Sequence, residues 1–300
     1  MESNIKPKLS AIVPIRNMGG RLQNLRKWIN RLVESNLDIE VILIHDGTDL
    51  VTQLELEEIV ESSNSNRITM EQIEVESPGL ARNRGITLAK GEWICFWDSD
   101  DEVKVDEVAN LLSDLNDPYT IVIAGFEEVR NVGTKSLVSV RKPRSMVDVI
   151  DKLGLWRMFF NKAIIEQIRF PSLKMGEDQL FFVSVTQNDQ KIKFSPQVVY
   201  RYFHHEFGQL TQNRVAIRDL KFCLIDLERI VGEEFRTRKI AKRVFVRQIL
   251  TCISSPYWEL KLAGLGVVAR SLFSGKIQKF LNICIGIVEA ALVRRRAQKW

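Results

Sequence analysis

Gly91-Glu92-Trp93-Ile94-Cys95-Phe96-Trp97-Asp98-Ser99-Asp100-Asp101 contains an uncharged aromatic run that ends abruptly in three carboxylates. Trp93 to Trp97 is short and free of charge, which suits a strand covered on both faces. Open α/β sheets place their sites beyond the carboxyl ends of such strands, so Asp98, Ser99 and Asp100 are expected at a strand exit beside a cleft. Carboxylates this close repel one another at neutral pH, and hard oxygen ligands suit Mg²⁺ or Mn²⁺. Asp98-Ser99-Asp100-Asp101 also suits a turn leading into a helix N-cap, and the stretch alone does not choose between the two.

The chain on either side supplies the context. Leu9 to Arg16 reads as a strand closing into the loop Asn17-Met18-Gly19-Gly20, and Leu22, Leu25, Trp28, Ile29 and Leu32 then recur at helical spacing. Ile39 to Ile44 gives a second strand, Gln53 to Ser62 a helix, Ile68 to Val75 a third strand and Gly79 to Ala89 a helix. Strand, helix, strand repeated in this way predicts an α/β fold with parallel crossovers, in the doubly wound pattern. Arg16 and Asn17, Asp46 and Asp49, and Asp98 and Asp100 all follow strand ends, so the pattern gathers them at one sheet edge. Arg82 and Arg84, after Ser77-Pro78-Gly79, add positive charge near a helix start, where a phosphate can be held.

These segments, in this order, resemble the family 2 glycosyltransferases with the GT-A fold, which transfer sugars from nucleotide-sugar donors. Ala11-Ile12-Val13-Pro14-Ile15-Arg16-Asn17 resembles their opening strand and Ile44-His45-Asp46-Gly47-Thr48-Asp49 their Asp-Gly-Ser segment. Gly79 to Ile86 is similar to the Ala-Arg-Asn helix, and Gly91 to Asp101 to the Asp-X-Asp strand. The resemblance spans about residues 9 to 210. It implies a donor site at Pro14, Arg16, Asp46, Arg82 and Asp98, and a divalent metal, Mn²⁺ or Mg²⁺, at Asp100 and Asp98. Two positions depart from the pattern: Arg16 stands where an aromatic residue is common, and His45 replaces the usual Asn or Asp before Asp46. A guanidinium plane can lie on a base or meet phosphate, so Arg16 is retained in the donor site.

Farther on, Tyr119 to Val129 reads as a strand around Ile121-Val122-Ile123-Ala124, and Arg130 to Arg144 as an exposed stretch carrying a hairpin or a loop. Leu155 to Lys162 precedes a helix over Ala163–Ile168. Gly176-Glu177-Asp178-Gln179-Leu180-Phe181 joins two acids to an apolar helix, which by itself is also how a helix dipole is complemented. The segment resembles the family's Glu-Asp-X-X-Phe motif, which makes Asp178 the catalytic base of an inverting transfer. Tyr200 to His205 and Gln209 to Thr211 resemble the stretch that closes the family's domain. Adjacent histidines on a strand face opposite ways, so His204 and His205 are not expected to share a metal.

The 300 residues are 45% hydrophobic and 27% charged, as in a globular chain. Met1 to Ser10 carries no apolar signal-peptide core, and Cys95, Cys223, Cys252 and Cys284 form no metal-type pair, which together predict a cytoplasmic protein with reduced thiols. The net charge of +5 is uneven: residues 231 to 300 hold fourteen Lys and Arg against four Asp and Glu. The resemblance implies a GT-A nucleotide-binding sheet flanked by helices over residues 1–212, and the charge shift adds a basic helical C-terminal extension over 213–300. Phe280 to Val293, followed by Arg294-Arg295-Arg296, is too short to span a bilayer, which needs about 20 apolar residues. It suits a core or homodimer helix, or an interfacial helix peripheral to an anionic membrane surface.

The resemblance implies transfer of a sugar, with inversion, from a nucleotide-diphosphate donor to a glycan or lipid-linked acceptor in surface polysaccharide assembly. A nucleotidyltransferase would carry a strong Gly-rich basic loop after the first strand, of which Met18-Gly19-Gly20-Arg21 is a weak version. A degenerate, non-catalytic sugar-nucleotide-binding or interaction protein would lack one of the acids, yet Asp100 and Asp178 are both present. No nucleic-acid-binding motif accompanies the basic tail, so nucleic acid is not expected as a partner.

Overall fold

The computed structural model describes residues 6–132, 135–187, 190–204, 213–232 and 239–273. His205, Gln209 to Thr211, Cys284 and the Phe280 to Lys299 region of the expected membrane helix lie outside the described residues.

The alternating half of the chain folds as its periodicities predict. Strand β1 (Leu9–Ile15) is followed by α1 (Gln23–Glu34), β2 (Ile39–Asp46), α2 (Leu50–Ser63), β3 (Ile68–Ile73), α3 (Pro78–Leu88) and β4 (Trp93–Phe96). In α1 the buried residues are Leu25, Trp28, Ile29 and Leu32, the i, i+3, i+4, i+7 spacing of one helix face. Helix α2 starts three residues earlier than its apolar pattern suggests, because the Asp49 carboxylate accepts from the amides of Val51 and Thr52 and caps it. Ser77 caps α3 in the same way, with Pro78 preset for the first turn. Strands β3, β2, β1 and β4 lie side by side in parallel, in that order. All four residues of β4 are buried, as a strand covered on both faces requires.

The remaining strands make the sheet mixed rather than doubly wound throughout. They are β5 (Glu102–Val103), β6 (Ile121–Val132), β7 (Lys135–Arg141), β8 (Met158–Asn161) and β9 (Ile192–Phe203). Strand β8 runs antiparallel between β4 and β6; β9 runs parallel to β6 along its other edge; β5 closes antiparallel on β9. Strand β7 folds back on β6, so the stretch after Arg130 is a hairpin. The sequence reading missed β8 and most of β9. Met158-Phe159-Phe160-Asn161 is too short to show alternation, and β9 mixes Lys193, Pro196, Gln197 and Arg201 with its buried residues. The helices α4 (Val105–Leu112), α5 (Met146–Asp151) and α6 (Lys162–Ile165) are interspersed with these strands, and α6 is shorter than the helix expected to reach Ile168.

The helices that complete the chain's described part are α7 (Glu177–Val185), α8 (Arg214–Arg218), α9 (Leu220–Gly232), α10 (Lys239–Ser254) and α11 (Trp258–Phe273). The described residues form two compact units. One comprises the residues up to 145, 154–172 and 190–204, and contains the whole sheet; the other comprises 146–153, 173–187 and everything from 213 onward. Segment 173–187, which carries Asp178, thus groups with the C-terminal helices and not with the sheet, although the expected boundary lay after residue 212. In the second unit Leu220, Cys223, Leu224, Leu227 and Val231 form the buried stripe of α9, against which α7, α10 and α11 pack. Pro256 lies between α10 and α11, where a helix interruption was expected. Cys95, Cys223 and Cys252 are buried free thiols.

Candidate active site

The carboxyl ends of β1, β2 and β4 lie next to one another, so the residues that follow them share one edge of the sheet. Pro14, half-buried near the end of β1, leads into Arg16. The Arg16 guanidinium donates to the Asp46 backbone carbonyl at 3.1 Å and lies 3.4 Å from its carboxylate, with Glu76 at 2.9 Å on the other amino group. Asp46 is 3% exposed and is already engaged with backbone: it accepts from the amides of Val75, Glu76 and Ser77 at 2.8 to 3.0 Å. Those three residues form the loop entering α3, so Asp46 fixes where that helix begins. His45, beside it, is fully buried, and neither ring nitrogen has a hydrogen-bond partner. Burial pushes the His45 imidazole below its ordinary range, against the opposing pull of Asp49 and Asp46.

The segment similar to the Ala-Arg-Asn helix divides its work. Arg82 donates to the Asp98 carboxylate at 3.0 Å and lies over the Phe170 ring. Asn83 grips the Phe170 backbone twice, donating to its carbonyl at 2.9 Å and accepting from its amide at 2.8 Å. A side chain at Gly85 would place its Cβ 2.3 Å from an Ile12 methyl, so only glycine lets α3 lie this close to β1. The glycine and asparagine therefore set the position of the helix that delivers Arg82.

The acidic turn after β4 is not a helix cap. The residue capping α4 is Lys104, and no side chain bonds that helix start. Nor do the three carboxylates all face outward. Asp98 and Asp100 are half-buried, whereas Asp101 is 1% exposed and points inward, accepting from the Phe203 amide at 2.9 Å and the Tyr200 hydroxyl at 3.0 Å. The same Tyr200 hydroxyl accepts from the Asp98 amide at 3.0 Å. Asn24, from α1, donates to the Asp100 carbonyl at 3.3 Å. Tyr200 and Asp101 were not singled out by the sequence reading; partners about a hundred residues apart leave no local signal.

The field in this region is negative. Burial first, then Asp100 and Asp98, push the Asp101 carboxyl well above the usual carboxylate range, and the Tyr200 phenol is raised by burial and by all three acids. A cation held by the outward carboxylates would relieve that field. The donor set is hard oxygen, and Mg²⁺ or Mn²⁺ is ordinarily held by one or two carboxylates plus phosphate oxygens. Asp98 and Asp100 fit that description, while among the described residues no group of three or more His, Cys, Asp and Glu forms a complete protein cage.

Asp178 opens α7 in the second unit, whereas Pro14, Arg16, Asp46, Arg82, Asp98 and Asp100 belong to the first. Glu177 is buried and Asp178 half-buried, with the Asp178 carboxylate accepting from the Gln179 amide at 2.8 Å. Gly176 precedes them at φ 92°, and a Cβ there would lie 2.7 Å from that of Cys223. Burial, and secondarily Asp178, push the Cys223 thiol up, leaving it a core group and not a nucleophile. His204 stands half-buried beside Tyr202 and 3.4 Å from Glu128.

Solved structures with the same fold are GT-A glycosyltransferases. TarS 1-349 of S. aureus in complex with UDP-GlcNAc aligns with a TM-score of 0.59 at 18% identity, over 92% of this chain and 90% of that one. The mannosyltransferase PcManGT of Pyrobaculum calidifontis, in complex with GDP-Man and Mn²⁺, aligns with a TM-score of 0.57 at 15% identity, over 96% and 88% of the two chains. In sequence the chain is 23% identical over 240 residues to a GalNAc(5)-diNAcBac-PP-undecaprenol beta-1,3-glucosyltransferase of Campylobacter jejuni, covering 78% of this chain and 77% of that one. It is 26% identical over 214 residues to a poly(ribitol-phosphate) beta-glucosyltransferase of Bacillus spizizenii, covering 67% of this chain but only 33% of that much longer protein. The family described as glycosyl transferase family 2 matches residues 10–175, more than half of the chain and the span from β1 to the threshold of α7. With the family's motifs in order along that span and a GT-A fold to carry them, this chain is a member of glycosyl transferase family 2.

Proposed function

We propose that the protein transfers a sugar, with inversion, from a nucleotide-diphosphate donor to a hydroxyl of a glycan or lipid-linked acceptor in the assembly of a surface polysaccharide. The observation that carries this reading is the acidic turn at the carboxyl end of β4, where Asp98 and Asp100 are half-buried beside the inward Asp101 and Arg82 is bonded to Asp98. Asp98 and Asp100 would hold Mg²⁺ or Mn²⁺, which supplies positive charge against the diphosphate. Arg82 adds a guanidinium beside the same turn, and Arg16, bonded to Asp46 and Glu76, lines the adjacent strand end for the nucleotide. Asp46 acts on the donor through the loop it fixes, because its carboxylate oxygens are already occupied by backbone amides.

In the reaction the acceptor oxygen forms a bond to the anomeric carbon as the bond from that carbon to the diphosphate oxygen breaks. The acceptor proton passes to the Asp178 carboxylate, a positioned base of the kind that contributes ~10²–10⁴-fold to rate. The leaving nucleoside diphosphate carries away the bonding electron pair. Support for a lipid-linked or polymeric acceptor comes from the names of the relatives, an undecaprenol-linked saccharide in one and a poly(ribitol-phosphate) in the other.

Incubation with a panel of nucleotide sugars, with and without Mn²⁺, tests the reading through release of nucleoside diphosphate. Mn²⁺-dependent release from one donor is the expected result; no release from any donor, with the chain folded, removes the activity. For the chain after α11, Arg294-Arg295-Arg296 beside an apolar run supports peripheral binding to anionic membranes, each basic residue near such a surface being worth about 1 kcal/mol. Among the described residues no helix is long and apolar enough to cross a membrane. Flotation with phosphatidylserine liposomes at low and high salt checks this, and a chain that ignores them at low salt refutes it.

A further inference from the structure

We propose that Tyr200 is a positioning residue for the acidic turn, a latch that fixes the directions of Asp98 and Asp100 through the buried carboxylate of Asp101; this rests on the reading of that turn as the metal and diphosphate site. One hydroxyl holds both ends of a four-residue turn. It accepts from the Asp98 amide and donates to the Asp101 carboxylate, each at 3.0 Å. The other Asp101 oxygen takes the Phe203 amide at 2.9 Å, so the inward acid is tied to β9 at two points. Beyond the turn the chain enters β5, whose Val103 lies opposite Tyr200 itself in the antiparallel register. Before it, the Trp97 amide bonds the Ile12 carbonyl at 3.0 Å, continuing the β1–β4 pairing. The tyrosine ring has no freedom of its own: it is fully buried, and Trp156 stacks on it at 4.7 Å with planes 13° apart.

Folding alone does not call for such a device. A phenylalanine at position 200 over an apolar residue at 101 would fill the same space without burying a carboxylate and a hydroxyl, and buried polar pairs of this kind are commonly no more stable than apolar replacements. What the polar latch adds is direction. With Asp101 turned inward and the Asp98 amide tied down, the two remaining carboxylates are left half-buried on the outer side, and the Asp98 carboxylate meets Arg82. Groups that orient metal ligands from behind typically change metal affinity by ~10–100-fold when removed.

The test compares Tyr200→Phe and Tyr202→Phe with the wild-type chain. Tyr202 lies two residues along the same strand and stacks on the same Trp156 at 5.6 Å, so Tyr202→Phe removes a half-buried hydroxyl from that stack and leaves the hydrogen bonds to Asp98 and Asp101 in place. Binding of UDP, GDP, dTDP, CDP and ADP is measured by calorimetry with and without MnCl₂, and bound Mn²⁺ by electron paramagnetic resonance. Tyr200→Phe is expected to weaken Mn²⁺-dependent binding ~10–100-fold while metal-free nucleotide binding changes little, and to lower the melting temperature because the buried Asp101 oxygen and the Asp98 amide each lose a partner; Tyr202→Phe is expected to match wild type in Mn²⁺-dependent binding. Unchanged Mn²⁺-dependent binding in Tyr200→Phe, or equal losses with and without the metal, overturns the latch and leaves Tyr200 a core residue. If Tyr200→Phe does not fold, Asp101→Asn, which keeps an oxygen for the Phe203 amide, must show the same selective loss or the proposal fails. A wild-type chain that binds none of the five nucleotides in Mn²⁺ overturns the reading of the turn as a donor site, and the latch with it.

Discussion

Asp98 to Asp101 and Glu177 to Asp178 are both short acidic runs next to apolar elements, yet they are held in different ways. The first is fixed by partners far away in sequence: Asn24 on a backbone carbonyl, Arg82 on a carboxylate, and Tyr200 and Phe203 on the inward acid. The second stands at a helix start: a glycine at positive φ precedes it, the Asp178 carboxylate bonds the next amide, and the Cys223 thiol from α9 bonds the Gly176 carbonyl. A cluster that must present several oxygens at once needs a shell of distant contacts to overcome mutual repulsion. A single base needs one oxygen aimed, which a rigid helix start supplies.

Four experiments break or sharpen that contrast, the largest effect first. Asp178→Asn keeps shape and removes basicity, so turnover should fall ~10²-fold or more with nucleotide binding near normal; steady-state kinetics with turnover close to wild type would reduce Asp178 to a helix-start acid. Asp100→Asn should lower Mn²⁺-dependent donor affinity about tenfold or more while the fold stays intact. Calorimetry showing unchanged donor affinity and metal dependence would take Asp100 out of the site.

The third concerns stability at the local motif. Gly176→Ala forces a side chain into φ 92° and against Cys223, so unfolding free energy should drop by about 1–3 kcal/mol in denaturant titration. A neutral substitution would mean that the start of α7 is adaptable and Asp178 loosely held. The fourth and smallest probes the packing behind the strand ends. Burial depresses the folded pKa of His45 below its unfolded value of about 6.5, so above that pH both states are neutral and nothing is gained or lost. As the pH falls through 6.5 the unfolded chain takes up a proton that the folded chain resists, and stability declines. His45→Leu should flatten the loss of stability between about pH 7 and 5; an unchanged slope would assign that loss to other groups.

The sequence carried much of this on its surface. Helical spacing in α1 and the buried aromatic run of β4 are local, because helix faces and strand burial depend on residues within one or two turns of each other; Asp49 and Ser77 were read as residues at element ends, and only the structure shows them to be caps. The order of the motifs was likewise enough for the family. Strand β8 was not legible, since four residues carry no period, and its antiparallel place between β4 and β6 is a property of the sheet. Asp46 read as an open strand-end carboxylate, but three loop amides already fill it, and Asp101 read as one of three equivalent repelling acids, but a tyrosine and an amide from β9 take it inward.

By itself, then, the order of residues determined the elements of the alternating half, through short-range periodicity, and the family, through its motifs in order, and it placed the acids at element ends. Only the tertiary structure decided which of those acids turns inward: hydrogen bonds between residues about a hundred positions apart, made possible by the short β5 that follows the turn and pairs with β9, make Asp101 a brace.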